Sequence, residues 1–327
     1  MSSDPIRAIA DAVLYEGYIL WPYRRSALKN QRRFTFGGVY PLSHEKRHPD
    51  DPATMRTEVL AQANGQTQVS ITGRFLQIAQ RTVSDANGAR HDDLVVGGER
   101  YVSWEEAVER EIRTPPLNLD GLHQAARFPI EIAAGSEREP LPGGAALIRS
   151  WKDLAGELVV QAVALSDGLW RLSVTISNNT RFDYSDRQRA LTHTFCSTHA
   201  LLALEGGEFV SLTDPPAELK AAAEACRNAG TWPVLVGEPG ERRTMLSSPI
   251  ILEDYPRVAP ESPGDLFDGG EIDQLLILNI LALSDSEQEE MAASDPRAKE
   301  ILERTRSLTP EQLMALHGTV REFGMVR

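Results

Sequence analysis

The chain has 327 residues, 41% of them hydrophobic and 25% charged, with 47 acidic against 34 basic side chains and a formal net charge of -13. This composition supplies a globular core and excludes a disordered chain, and at about 150 residues per domain the length allows one large domain or two ordinary ones. The acidic excess argues against nucleic acid as the main partner, because a phosphate backbone repels such a surface.

The N-terminus, MSSDPIRAIADAV, lacks the basic start and apolar run of a secretory signal. Ile6 to Tyr15 reads as a short helix. Residues 44–54, HEKRHPDDPAT, are polar and Pro-containing and read as a loop. TEVLAQANGQTQVSITGRFLQIAQRTV reads as two strands about Asn64-Gly65, a dipeptide that favours a hairpin; Val69, Ile71, Gly73 and Phe75 alternate as in a half-buried strand. Ser103-Trp-Glu-Glu106 fits a capping box that opens a helix over WEEAVEREI.

Strands follow over FPIEIAA, ELVVQAVAL and LWRLSVTISNNT, with Ser166-Asp-Gly168 as the turn between the last two. THTFCSTHALLAL and EFVSL read as two more, joined at Gly206-Gly207. Pro216 to Asn228 is predicted as an amphipathic helix, Ala-rich with Pro near its start. WPVLV reads as a short buried strand. From Pro249 the composition turns Pro-rich and acidic. Residues 251–295 contain a single base, Arg257. Helices are predicted near Gly270, with Ile272, Leu275, Leu276 and Asn279, then at the Ser284/Glu287 capping box, at Asp295-Pro296, and at Thr309-Pro310.

The fold class expected is α+β: a mostly antiparallel sheet region, a Pro-rich connector and a C-terminal helical segment. Strands and helices do not alternate regularly, which argues against a doubly wound parallel sheet. The expected division is an α+β domain over 1–248 and, over 249–327, the connector with helices packed on that domain through Leu275, Leu276, Leu278, Leu302 and Leu313. The longest apolar run, Leu275 to Leu283, falls far short of the roughly 20 residues that cross a bilayer. Cys196 and Cys226 are too few to staple a chain of this length and read as reduced thiols. A cytoplasmic protein with no membrane span is expected.

The most informative stretch is YEGYILWPYRRSALKNQRRFTFGGVYP, Tyr15 to Pro41. Arg24, Arg25, Lys29, Arg32 and Arg33 crowd together there with no acid among them, beside Trp21, Tyr23, Phe34, Phe36 and Tyr40. Cations next to aromatic faces are the residue types of interface hot spots. Trp21, Tyr23, Arg24, Arg25, Lys29, Arg32, Arg33 and Phe36 are therefore the candidate partner-binding surface. The competing use of these arginines is to pair with the chain's own acidic residues 251–295. His193, Cys196 and His199 offer metal-ligand types at three-residue spacing. The β-branched and aromatic neighbours favour a strand, and on a strand His193 and Cys196 point to opposite faces, which breaks the triplet. No cofactor is expected. Asp265 to Asp273, DLFDGGEID, departs from the EF-hand spacing and reads as the polar start of a helix. Ser247, Ser248 and Cys196 are possible nucleophiles, with His193, His199 and His317 as possible bases, but no GxSxG elbow organises them.

Tyr15 to Pro41, together with GTWPVLVGEPGERRTMLSSPIILEDYPRVAPESPGDLFDGGEID, resembles proteins encoded beside the uptake [NiFe]-hydrogenases of actinobacteria and some proteobacteria. Glu205 to Pro216 and Ser103 to Ile112 share the resemblance, so it runs through most of the chain. It implies a role in making, assembling or supporting the hydrogenase and supplies no catalytic residues. The expected function is a non-enzymatic accessory protein that contacts hydrogenase subunits or their assembly factors. The rival readings are a metal-binding maturation factor or enzyme acting on the hydrogenase, and a structural subunit of a larger assembly.

Overall fold

A computed structural model describes residues 5–15, 36–183, 186–257, 277 and 279–309. In chain order the elements open with α1 (Pro5–Tyr15), α2 (Leu42–Glu45), β1 (Thr54–Gln62), β2 (Gln68–Ser84), β3 (Arg90–His91), β4 (Asp93–Val96), β5 (Glu99–Val102), β6 (Trp104–Arg113) and β7 (Leu117–Asn118). There follow β8 (Ala126–Ile132), β9 (Gly135–Pro140), β10 (Ala146–Trp151), β11 (Leu154–Ser166), β12 (Leu169–Asn178) and α3 (Arg187–Leu191). The remainder is β13 (Cys196–Glu205), β14 (Glu208–Val210), α4 (Lys220–Glu224), β15 (Trp232–Leu235), β16 (Thr244–Ser248), α5 (Asp285–Ser294) and α6 (Pro296–Ser307). The fold is α+β, and every strand pairing among the described residues is antiparallel.

Two sheets carry the fold. A five-stranded sheet runs β14-β1-β12-β11-β8, and a nine-stranded sheet runs β15-β16-β13-β2-β10-β9, with β3, β6 and β7 on the other flank of β2. In β12 the β-branched and aliphatic residues Leu172, Val174 and Ile176 are buried and alternate with polar partners, the period that lays one strand face on a core. The core between the sheets takes Val59, Leu158, Leu172 and Val174 from one side and Val69, Ile71, Phe75 and Leu202 from the other. Phe75 and Phe195 stack within it, with ring centres 4.3 Å apart.

The opposite face of β2 is covered by helices from the two ends of the chain. Leu76, Ile78, Val102 and Trp104 pack with Leu14 and Tyr15 of α1 and with Met291, Ile301 and Leu302 of α5 and α6. Ala10 and Val13 of α1 bury Val234, Val236 and Leu246. Arg81 of β2 ties α5 down. Its Nη2 donates to the carbonyls of Ala293 and Ser294 at 2.8 and 2.9 Å, and its Nη1 meets the Glu106 carboxylate at 2.6 Å. The capping box of Ser284 and Glu287 forms, and the Asp295 side chain accepts from the Arg297 N–H at the start of α6. Of the leucines expected to dock this segment, Leu302 does so; Leu275, Leu276, Leu278 and Leu313 lie outside the described residues. So do the helix near Gly270, apart from helical residues 277 and 279–281, and the helix at Pro310.

Four expectations are corrected. Residues 104–113 form strand β6, not a helix: they pair with β2 from Thr72↔Arg113 to Arg81↔Trp104, and buried Glu106 faces Arg81. The tertiary ladder overrides local helix propensity there. Asn64-Gly65 does not close a hairpin, because β1 enters the five-stranded sheet and β2 the nine-stranded one. The turn is held by Gln66 N–H donating to Asn64 Oδ1 and by Asp120 N–H donating to the Gly65 carbonyl. The helix at Pro216 to Asn228 shrinks to a 3-10 turn, Ala217–Leu219, and α4. The chain beyond is captured by β1: Arg227 N–H donates to the Glu58 carboxylate and Glu58 N–H to Asn228 Oδ1. The strand placed over THTFCSTHALLAL starts only at Cys196, after α3 and a turn.

Candidate functional site

Of the expected partner surface, Trp21, Tyr23, Arg24, Arg25, Lys29, Arg32 and Arg33 lie outside the described residues; Phe36 is described. Phe36 and Gly37 lie against an irregularity in β13. Their carbonyls accept the N–H groups of Ser197 and Thr198 at 3.1 and 2.9 Å, and Val39 bridges Phe195. Ser197 has φ 50, unusual for a non-glycine residue, and its hydroxyl donates to the Val13 carbonyl. Gly37 has φ 53, and a Cβ there would come within 2.5 Å of Pro249 Cγ. Only glycine allows this turn to press on Pro249.

The result is a groove of about 280 Å³ lined by Phe36, Tyr40, Asp50, Asp51, Trp232 and Pro249 among others. A second pocket, about 260 Å³, shares Gly230 and Trp232 with it and extends past Thr213, Ile251 and Leu252. Phe36 is 43% exposed, Trp232 45% and Ile251 73%, so these large apolar side chains project into solvent along one continuous surface. Trp232 was expected in a buried strand. Pro233, Val234 and Leu235 are buried, but Trp232 opens the edge strand and faces out.

The groove has a rigid back. Tyr40 stacks on His44 with centres 5.1 Å apart, and His44 stacks on His48 at 4.4 Å. Asp51 Oδ2 meets His44 Nε2 at 2.9 Å and Arg187 Nε at 3.3 Å, while Arg187 Nη2 donates to the Tyr40 hydroxyl. Burial pushes the Tyr40 hydroxyl far above the usual tyrosine range, outweighing the neighbouring Arg187. Behind Trp232, buried hydroxyls join β1, β16 and the residue that precedes β15: Ser247 Oγ lies 2.6 Å from both Thr57 Oγ1 and Thr231 Oγ1. Ser247, a possible nucleophile by sequence, is thus engaged between two threonines.

His193, Cys196 and His199 are held by separate partners. His193 sits in the turn after α3, its Nδ1 3.0 Å from the Thr192 hydroxyl. The Cys196 thiol is buried and directed at the Thr194 carbonyl. The register shift places Cys196 opposite Leu76 and His199 opposite Arg74, so these two share a face despite their odd spacing. His199 donates from Nδ1 to the Ser197 carbonyl at 3.1 Å. Among the described residues no three His, Cys, Asp or Glu side chains converge as a metal site.

A second polar centre was not foreseen. Arg74, 1% exposed, donates from Nη2 to Asp11 at 2.5 Å, with Glu109 at 3.4 Å and Glu111 3.5 Å from its Nε. Asp11 and Glu109 line a cleft of about 360 Å³ with Tyr15, Arg297, Glu300 and Arg304. Glu109 accepts from the Tyr15 hydroxyl at 2.7 Å and from Arg297 at 3.1 Å, and the Arg297 guanidinium lies 3.1 Å from the centre of the Tyr15 ring. Burial raises the Glu109 carboxyl, but the Tyr15 and Arg297 hydrogen bonds with the Arg297 and Arg74 charges outweigh it and hold the group below the usual range. Acids and bases neutralise one another here, and the centre fastens α1, β6 and α6 together. Its Glu109 and Glu111 lie in the segment WEEAVEREI, which reads as a helix from the sequence.

Comparison with models of known protein families gives no match, and no curated protein matches the chain. No helix among the described residues is long and apolar enough to cross a membrane.

Proposed function

We propose that this chain is an accessory protein that acts by binding another protein, without catalysis of its own, through the Phe36–Trp232–Ile251 surface. The observation that carries this reading is the exposure of these three side chains along two adjoining pockets on a hydrogen-bonded base. Contiguous exposed apolar surface marks interaction sites, and aromatic anchors dominate their energetics. The candidate residues Trp21 to Arg33 precede Phe36 in the sequence. The resemblance described above directs the partner search to [NiFe]-hydrogenase subunits and their assembly factors, with assembly or maturation as the role.

The test is an affinity pull-down from cells grown under hydrogenase-inducing conditions, read by mass spectrometry. The wild type is expected to capture hydrogenase subunits or assembly factors, and Phe36→Ala/Trp232→Ala to lose them while keeping its melting temperature. Equal capture by the double variant would dismiss the surface. A capture free of hydrogenase-related proteins would dismiss the assembly role.

A further inference from the structure

Resting on that reading of the surface, we infer that it takes a proline-rich peptide in the polyproline II conformation, with an arginine or lysine at one end. Three observations carry the inference. Two pockets of similar size flank one exposed indole: Phe36, Tyr40 and Pro249 wall the first with Trp232, and Pro233, Ile251 and Leu252 wall the second with the same ring. Polyproline II repeats every three residues and is recognised by aromatic-lined grooves, so successive proline contacts suit hollows on either side of a ring. Next, among the described residues the Trp232 indole N–H donates to no protein group. A polyproline II backbone makes no internal hydrogen bonds and offers its carbonyls to such a donor. Finally, Asp50 and Asp51 stand at one side of the groove, and among the described residues no cation lines it. Arg187 neutralises Asp51, whereas Asp50 is exposed and unpaired among the described residues, which suits a basic flank on the peptide.

Strand addition is disfavoured at the same edge. Pro233 has no N–H, the Leu235 N–H donates to Asp254 Oδ1, and the Leu235 carbonyl accepts from Tyr255. The ladder groups an incoming strand would use at Leu235 are taken.

Fluorescence polarisation with three labelled peptides of equal length tests the inference on the full chain. One carries Arg followed by Pro-x-x-Pro, one has Glu in place of Arg, and one has every Pro replaced by Ala. The Arg peptide is expected to bind in the micromolar range, with the other two at least tenfold weaker. Trp232→Ala should abolish binding, and Asp50→Lys, on an exposed side chain that leaves the fold intact, should reverse the Arg-over-Glu preference. Equal binding of the Arg and Glu peptides, retained binding of the Ala peptide, or binding unaffected by Trp232→Ala would overturn it. So would light scattering that shows a dimer dispersed by Trp232→Ala, because the occupant is then a second copy. If no peptide binds while the pull-down still depends on Phe36 and Trp232, the peptide class falls and the surface stands; if both fail, the surface falls too.

Discussion

Arg74 and His199 are cross-strand neighbours inside the helix-covered face of the nine-stranded sheet. His199 is fully buried, and neither its Nε2 nor Arg74 Nη1 has a hydrogen-bond partner among the described residues. Burial holds the His199 pKa down to about 4, with Arg74 adding to the effect against the Ser197 hydrogen bond. A histidine depressed in the folded state is protonated first in the unfolded chain. Its contribution is complete above the ordinary pKa of about 6.5 and is lost as pH falls toward its folded value. Urea denaturation is expected to show a loss on the order of 3 kcal/mol between those limits that is absent from His199→Gln. An unchanged pH slope in the variant would refute this. The carboxylate of Glu109 is shifted in the same direction. Because its folded pKa lies below the usual range, its contribution is present above about pH 4.3 and disappears as pH falls through the folded value. Glu109→Gln should therefore lower stability at pH 7 and flatten the acid limb of a melting-temperature profile; a limb as steep as wild type would count against the interlock.

Among elements, the docking of α5 and α6 turns on Arg81. Its guanidinium joins the Glu106 carboxylate, which also holds Arg149 Nε at 2.6 Å, to the last carbonyls of α5. Removing one member of a buried ion pair costs about 3–5 kcal/mol when the partner is left uncompensated. Arg149 stays on Glu106 in Arg81→Leu, so this variant is expected to destabilise by less than about 3–5 kcal/mol, and hydrogen exchange should quicken in residues 285–307 before it does in β11 and β12. Uniform acceleration would mean that the helices and sheets open together. The same elements show what could be read from sequence. β11 and β12 were legible because Ser166-Asp-Gly168 supplies a turn, with φ 76 at Gly168, between two apolar runs. The starts of α5 and α6 were legible because capping is local chemistry. β6 was not: WEEAVEREI has helix-forming residues throughout, and its acids find their arginines on β2, β10, α1 and α6, far away in sequence. Phe36 could be singled out as an aromatic beside cations, whereas Trp232 was masked by the apolar residues that follow it, and only the edge position of its strand turns it outward.

Across the molecule, one sheet face is closed by segments from opposite ends of the sequence, with α1 contributing Leu14 and Tyr15 and α5–α6 contributing Met291, Ile301 and Leu302. Ending the chain at Leu283 would uncover Leu76, Ile78, Val102 and Trp104. Such a variant is expected to bind the dye ANS, to lose solubility and to melt at a lower temperature. A monomer with wild-type melting and no dye binding would show that the helices are ornamental to this face.

The two-ended closure also sets a timetable for the newborn protein. At roughly 5–20 residues per second, the ribosome finishes β2 and β6 many seconds before it delivers α6. For that interval Arg74 already has Asp11, Glu109 and Glu111 beside it, while the apolar strip next to it has half its cover. The nascent chain thus carries a sticky flank whose lifetime is fixed by translation speed. A pause between β16 and α5 would lengthen the period in which a chaperone, or another nascent copy, can seize it.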